Sequence, residues 1–291
     1  MKYSGLILGV WLASLGQLTA QVTVEVTLDQ DQFLPGESVP AAVRITNRSG
    51  QTLQLGKDDY WLTFGVESKD GYVVLKKGRV PVEGEFTLQS SQRAIKRVDL
   101  APYFDLTMPG RYSIIATVTI RAWNQNITSQ PRTFDVIEGA KLWEQKFGVP
   151  QPPGATNRLP EVRTYLLQEA NHLRQGLRLY LRLVDASGRI NKVVPIGPML
   201  SFGQPDAQVD RLSNLHVLYQ NGPRSFNYLV FDPDANLLVR RSYDYTTRPR
   251  LQADGDGGIT VSGGTRRVTL DDLPPPKVAD SKATNATTPA P

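Results

Sequence analysis

The chain holds two histidines, His172 and His216, and no cysteine. The missing thiol removes cysteine nucleophiles, cysteine-zinc sites and iron–sulfur clusters from consideration. Neither histidine stands in a His-Glu-x-x-His or other metal spacing. His216 sits between Leu215 and Val217 in an apolar run, where a general base and an ordinary strand residue are both open readings, the second the simpler. A serine nucleophile wants a Gly-x-Ser-x-Gly elbow, which Ser262-Gly263-Gly264 does not supply. A glycosidase needs two carboxylates brought together in space. With 28 acidic residues, composition neither identifies that class nor removes it.

Two turns concentrate oxygen ligands. Asp232-Pro233-Asp234-Ala235-Asn236 carries side-chain oxygens at alternate positions, as calcium loops do, and Asp254-Gly255-Asp256 repeats the pattern. Calcium at Asp232, Asp234, Asn236, Asp254 and Asp256 is therefore the one cofactor to test. Neither loop has the glycine and distal glutamate of a complete calcium motif. The same residues also read as hairpin turns, because Asp, Asn and Gly tolerate a left-handed backbone. For a protein or glycan ligand, the aromatics Tyr219, Phe226, Tyr243 and Tyr245 form the candidate contact surface, with a packing role the simpler reading for most of them.

These residues ride on a segment, Leu177 to Gly264, that states a strand pattern twice. Leu179 to Gly188 reads as a strand and turn, and Ile190 to Ile196 returns. Asn227 to Asp234 and Leu237 to Tyr243 do the same. Pro205 and Pro249, Asp210 and Asp254, and Val217 and Val261 each lie 44 residues apart; Tyr180 and Tyr228 lie 48 apart. A four-stranded unit at that period is the size of a β-propeller blade. The stretches YLVFDPDANLLVRRSYDY and PRLQADGDGGITVSGG resemble blade strands of bacterial propellers. About two units are present, whereas a closed propeller needs typically 4–8. A plain antiparallel meander is the competing reading.

The preceding region, 21–138, alternates with period two. Val22, Val24, Val26 and Leu28 share one face, and Val39, Ala41, Val43 and Ile45 another. Tyr112, Ile114, Ala116, Val118 and Ile120 mark the strongest strand. Candidate strands also fall at Trp61 to Val66, Tyr72 to Leu75, Phe86 to Leu88 and Thr133 to Ile137. About seven strands without a long helix predict an antiparallel sandwich. FLPGESVPAAVRITNRSG, followed by DLTMPGRYSIIATVTI, resembles bacterial exported modules of the immunoglobulin-like, macroglobulin-like or fibronectin-like kind. Leu106 to Tyr112 is similar to the tyrosine corner of such folds, which implies a structural role for Tyr112. A macroglobulin thioester cannot form without cysteine.

The flanks complete the plan. Residues 1–20 read as a secretory signal, with Lys2, an apolar core at Leu6 to Leu15 and Ala20 before the cut. Residues 139–160 read as a linker: Ala140 to Phe147 groups Leu142, Trp143 and Phe147 as a short helical turn would, and Pro150, Pro152, Pro153 and Pro160 follow. Glu161 to His172 is open to two readings. Val162, Tyr165, Leu166, Ala170 and Leu173 have near-helical spacing that Gly176 could end, but the strands that follow favour a further strand. Residues 161–270 read as the blade-like domain. Residues 271–291 read as a polar, Pro-rich disordered tail. Net charge is +5 without a basic stripe, and Arg240, Arg241, Arg248, Arg250, Arg266 and Arg267 read as solvated strand faces. Nucleic acid is therefore not an expected partner. Asn47-Arg48-Ser49 and Asn126-Ile127-Thr128 match glycosylation sequons.

The expectation is an all-β protein exported to the periplasm or beyond, with no integral membrane segment after signal cleavage. It joins an immunoglobulin-like sandwich to an antiparallel meander of about two blade-like units. Its expected role is non-catalytic binding or scaffolding of an envelope protein or glycan. The alternative is a secreted hydrolase acting on polysaccharide or peptide.

Overall fold

A computed structural model describes residues 22–150 and 161–274. The expected signal, the proline-rich part of the linker and most of the tail lie outside those residues. The described chain is nearly all strand, with one helical turn at Arg121–Trp123. No helix in it is long and apolar enough to cross a membrane. The chain divides into two compact units. Among the described residues, the first comprises 22–29, Val39–Phe104 and Tyr112–Thr133; the second comprises Gln30–Ser38, Asp105–Arg111 and the described residues from Phe134 on.

The first unit is an antiparallel β-sandwich. One sheet orders β1 (Val22–Leu28), β3 (Pro40–Asn47) and β7 (Arg93–Asp99), with β3 in the middle. In the other, β8 (Gly110–Ile120) pairs with β5 (Leu62–Ser68) and β9 (Gln125–Thr128). A short pair, β4 (Leu53–Leu55) with β6 (Phe86–Leu88), closes one side. Alternation sends Val22, Val24 and Val26, with Ala41, Val43 and Ile45, into the core. From the opposite sheet come Leu62, Phe64, Ile114, Ala116 and Val118. Tyr112 is fully buried and meets Tyr72 edge-on, and the buried Trp61 indole donates to the Val82 carbonyl at 2.8 Å. Tyr72 to Leu75 is not the strand its alternation predicts. Val73 and Leu75 point to solvent, and the only ladder contact there is the isolated bridge from Lys76 to Phe104.

The second unit contains two successive four-stranded meanders. The first runs β11 (Ala140–Gly148), β12 (Val162–His172), β13 (Gly176–Asp185) and β14 (Ile190–Pro198). The second runs β15 (Asp206–Val209), β16 (Leu215–Gly222), β17 (Ser225–Phe231) and β18 (Leu237–Asp244), and β21 (Thr265–Arg267) adds to its far edge. A hairpin of β19 (Arg250–Ala253) and β20 (Ile259–Ser262) follows the pattern for half a unit more. Tyr165, Leu167, Leu179 and Leu181 pack against Leu215, Val217, Tyr219 and Leu229, which joins the meanders face to face. Leu218, Phe226, Tyr228 and Val230 on the opposite face of the second meander pack against Leu251, Ile259 and Val261 of the hairpin.

Both ends of this stack are capped. The hairpin turns Arg250, Gln252, Thr260 and Ser262 outward, leaving no apolar face for a further sheet. At the other end, Leu34 and Ile137 cover Tyr180, Ala170 and Val193. Leu34 belongs to a turn that includes β2 (Gln32–Phe33), which pairs in parallel with Asp135 and Val136 of β10 (Arg132–Val136).

Three expectations are corrected. Ala140 to Phe147 is a strand rather than a helical turn. A bulge between Lys141 and Trp143 shifts its register, so Leu142 and Trp143, though adjacent, both pack on the core with Phe147. Phe147 stacks on Tyr165 with centroids 4.0 Å apart. The region read as linker therefore contributes the first strand of a meander, and the continuous part of the second unit starts at Phe134 rather than at residue 161. Finally, residues 271–274 do not trail away. Leu273 exchanges backbone hydrogen bonds with Arg240, and the buried Asp272 pairs with Arg266.

Candidate functional site

The repeat places a groove where two equivalent strands begin. Pro205 precedes β15 and Pro249 precedes β19, and both line a hollow of about 390 Å³ with Gln204, Asp206, Leu218, Phe226, Arg248 and Arg250. Neither proline offers an N–H, so each sits where a ladder starts. Asp206 does not project freely: its Oδ2 accepts the Leu251 N–H at 2.9 Å and ties the two strands together. Arg248 and Arg250 are exposed, and their side chains make no hydrogen bond or ion pair among the described residues.

The four candidate aromatics separate by strand parity. Phe226 lies at the groove, and the exposed Tyr245 stacks on it with centroids 6.2 Å apart and planes 25° apart. Tyr245 is held there by Arg224, whose carbonyl accepts the Tyr245 N–H at 2.8 Å and whose guanidinium donates to the Tyr245 carbonyl at 3.2 Å. Tyr243 is half-buried beneath the Arg266 guanidinium, 5.8 Å from its ring centroid. Tyr219 is not a surface residue. It is 2% exposed on the opposite face of β16, and its hydroxyl accepts from Asn227 Nδ2 at 3.2 Å. Phe226 lines the groove but is only 7% exposed. The surface reading therefore holds for Tyr245, in part for Phe226 and Tyr243, and fails for Tyr219.

The oxygen-rich turns are two of four alike. In each, an aspartate at the first position accepts the backbone N–H two and four residues on through one carboxylate oxygen. This holds at Asp185, Asp210, Asp232 and Asp254, with distances of 2.6–3.1 Å. The fourth residue of each turn has positive φ: Gly188, Ser213, Ala235 and Gly257. The second oxygen of Asp232 accepts Asn236 Nδ2 at 3.0 Å. The Asp234 carboxylate takes Arg163 Nη1 at 2.6 Å, and Asn236 Oδ1 takes Lys192 Nζ at 2.8 Å. The oxygens proposed for calcium at Asp232, Asp234 and Asn236 thus face N–H groups, a guanidinium and an ammonium. Asp254 is tied to its own turn, and Asp256 stands exposed at its tip. No group of three or more acidic or histidine side chains able to hold a metal ion occurs among the described residues.

Both histidines are buried. His216 Nε2 lies 3.2 Å from Asp210 Oδ2, and Nδ1 lies 2.7 Å from the Tyr228 hydroxyl. Nε2 faces the carboxylate and Nδ1 the phenol, whose O–H also reaches the Ile259 carbonyl at 3.5 Å. Hydrogen bonds from Asn214 and His216 outweigh burial and hold the Asp210 carboxyl below its usual value. The chain Asp210–His216–Tyr228 has the order of an acid–base relay, but His216 and Tyr228 are 7% and 5% exposed and neither lines the groove. His172 accepts or donates at 2.6 Å with the Tyr180 hydroxyl, and burial followed by the Arg178 charge lowers its pKa.

Asn47 of the first sequon is fully buried, its amide donating to the Gln51 and Leu88 carbonyls. That side chain is an internal brace and presents no acceptor for a glycan. Asn126 of the second sequon is exposed on β9.

No family model matches the chain, and no curated protein matches it. Among solved structures, the sporulation control protein Spo0M of Bacillus subtilis aligns over 60% of this chain and 89% of its own, with 12% identity and a TM-score of 0.31.

Proposed function

We propose that the chain is an exported, non-catalytic envelope protein that binds an acidic glycan in the groove before β15 and β19. The observation that carries this reading is the pairing of two unpartnered guanidiniums, Arg248 and Arg250, with the Phe226–Tyr245 stack beside the hollow. Guanidinium forks suit carboxylates, and an aromatic face suits the apolar side of a sugar ring. The immunoglobulin-like sandwich is the supporting module and the blade-like stack the binding one. The only carboxylate lining the groove, Asp206, is engaged by a backbone N–H. Among the described residues, this groove therefore offers no pair of free carboxylates for glycoside hydrolysis.

The test is calorimetric titration with an oligo-uronate against a neutral oligoglucan of equal length. Saturable binding of the uronate, lost in R248A and R250A, supports the proposal. Binding of neither oligomer ends it. The second reading, a hydrolase, draws on the contact between His216 and Asp210. Release of reducing ends from the uronate by the wild type, abolished in H216Q, would establish that reading instead.

A further inference from the structure

A second basic hollow lies on the first unit, independent of the glycan groove. The solvent face of the sheet β1–β3–β7 forms a concavity of about 590 Å³ lined by Thr23, Glu25, Arg44, Thr46, Arg48, Ser91 and Arg93. Its floor follows from register. Thr23 faces Thr46 and Thr46 faces Arg93, making one row across three strands; Glu25 faces Arg44 in the next. Period-two alternation then puts the whole set on the face opposite the valine core.

The rim is fixed by the buried brace. Asn47, which holds the end of β3 through its side chain, accepts the Ser91 N–H at 2.7 Å on its carbonyl and donates its own N–H to Gln92 at 3.0 Å. Ser91 is held at a φ of 67°, a conformation a serine adopts rarely. This anchors Ser91 and Arg48 at the same end of the sheet.

Charge does not balance there. Glu25 is the one acidic side chain lining the hollow, and it pairs with Arg44 at 3.2 Å. The side chains of Arg48 and Arg93 have no hydrogen bond or ion pair among the described residues. A face kept only for solubility mixes its signs, since like charges on neighbouring strands repel. Here guanidiniums and three hydroxyls converge on a hollow with an excess of two positive charges.

We propose that this face is an oxyanion site that holds one phosphate-class dianion between Arg44, Arg48 and Arg93, with Thr23, Thr46 and Ser91 donating to its oxygens. A free phosphate ester and a phosphorylated lipid headgroup share that chemistry.

The experiment follows the arginine Nε–H resonances while inorganic phosphate is titrated at constant ionic strength, with chloride as the reference salt. Saturable shifts at Arg44, Arg48 and Arg93 are expected. R48Q and R93Q should each weaken binding about tenfold or more, the loss of a charge-assisted contact. Arg97→Gln, one row beyond the hollow on the same strand, should leave it unchanged. Co-sedimentation with vesicles containing phosphatidic acid, reversed by inorganic phosphate, assigns a headgroup source. Phosphate binding without co-sedimentation assigns a free phosphate. Shifts that rise linearly without saturating, or an equal loss in R97Q, overturn the proposal. Both test arginines are exposed, and melting curves of R48Q and R93Q check that a loss of binding is not a loss of fold.

Discussion

Asp210 and Asp254 occupy the same place in two turns 44 residues apart, each accepting the backbone N–H two and four residues on through Oδ1. They differ in what else they hold. Asp254 serves its own turn. Asp210 also receives Asn214 Nδ2 at 3.0 Å and stands 3.2 Å from His216 Nε2. The same local device has thus been extended into the interior in one copy only.

Substitution should separate the two roles. D254A removes exposed turn hydrogen bonds and should cost about 1 kcal/mol. D210A strands His216 beside the Tyr228 hydroxyl and should cost about 2–4 kcal/mol. Urea unfolding of both variants measures the difference, and equal losses would show that the link to His216 carries no weight.

A close approach inside the second unit offers a sharper measurement. Gly197 has a φ of 153°, and a Cβ there would lie 2.8 Å from the Tyr219 hydroxyl oxygen. G197A should therefore destabilise by about 1–3 kcal/mol. Removing the hydroxyl with Y219F relieves the clash but leaves the backbone strain. The double variant should recover about 1 kcal/mol relative to the sum of the single changes. Strict additivity in the cycle would place the cost in the backbone alone.

The repeat was legible because Pro205 and Pro249, Asp210 and Asp254, and Val217 and Val261 recur 44 residues apart. An aspartate that opens each turn is a constraint that survives in sequence; the positive φ at the fourth position, which Ser213 and Ala235 also adopt, is not. The groove was half legible. Pro205 and Pro249 were matched by spacing, but Arg248 and Arg250 read as solvated, since nothing local shows that the strands they flank lie side by side. Tyr219 was misplaced for a definite reason. Leu215 to Tyr219 are all buried, on both faces of β16, so alternation carries no information about which way a side chain points. Strand β7 went unseen because its pattern is inverted: Ile95 points outward while Ala94, Lys96 and Val98 line the inner side. With β7 missing, Arg93 could not be set beside Arg48, which is 45 positions away. Trp143 misled through a bulge, a one-residue event that no periodicity registers.

The Asp232 turn predicts a response to metal that depends on its cations. Arg163 joins Asp234 to Glu161 and to the Pro233 carbonyl, with its side chain only 15% exposed. R163A should cost about 1–3 kcal/mol, through lost charge-assisted hydrogen bonds and lost packing of the stem. Calcium should leave the melting temperature of the wild type unchanged. In the R163A/K192A double variant, where the Asp234 and Asn236 oxygens are released, it should raise it. Differential scanning calorimetry with calcium and with EDTA reads both outcomes. A calcium-dependent rise in the wild type would show that the metal displaces the cations.

Acid should weaken the second unit through His172. Burial, and after it the Arg178 charge, hold the folded pKa of this group below the ordinary 6.5. Above that value both states are neutral and His172 contributes no slope. As pH falls below it, the unfolded chain gains a proton that the fold takes up only at lower pH, so stability declines. One such group gives at most about 1.4 kcal/mol per pH unit. Glu37 acts in the opposite sense. Burial raises its folded pKa above 4.5, so its stabilising contribution is full below 4.5 and is lost as pH rises through the folded value. Asp210 joins only in stronger acid, because its folded pKa is depressed below 3.8 and its contribution disappears as pH falls through that lower value. Urea unfolding from about pH 7.5 to about pH 5 should therefore show a decline that H172Q flattens. In that variant the amide can still reach the Tyr180 hydroxyl, which sits 2.6 Å from the native imidazole, so the slope changes without the contact being abandoned. An unchanged slope in H172Q would assign the acid sensitivity to other groups.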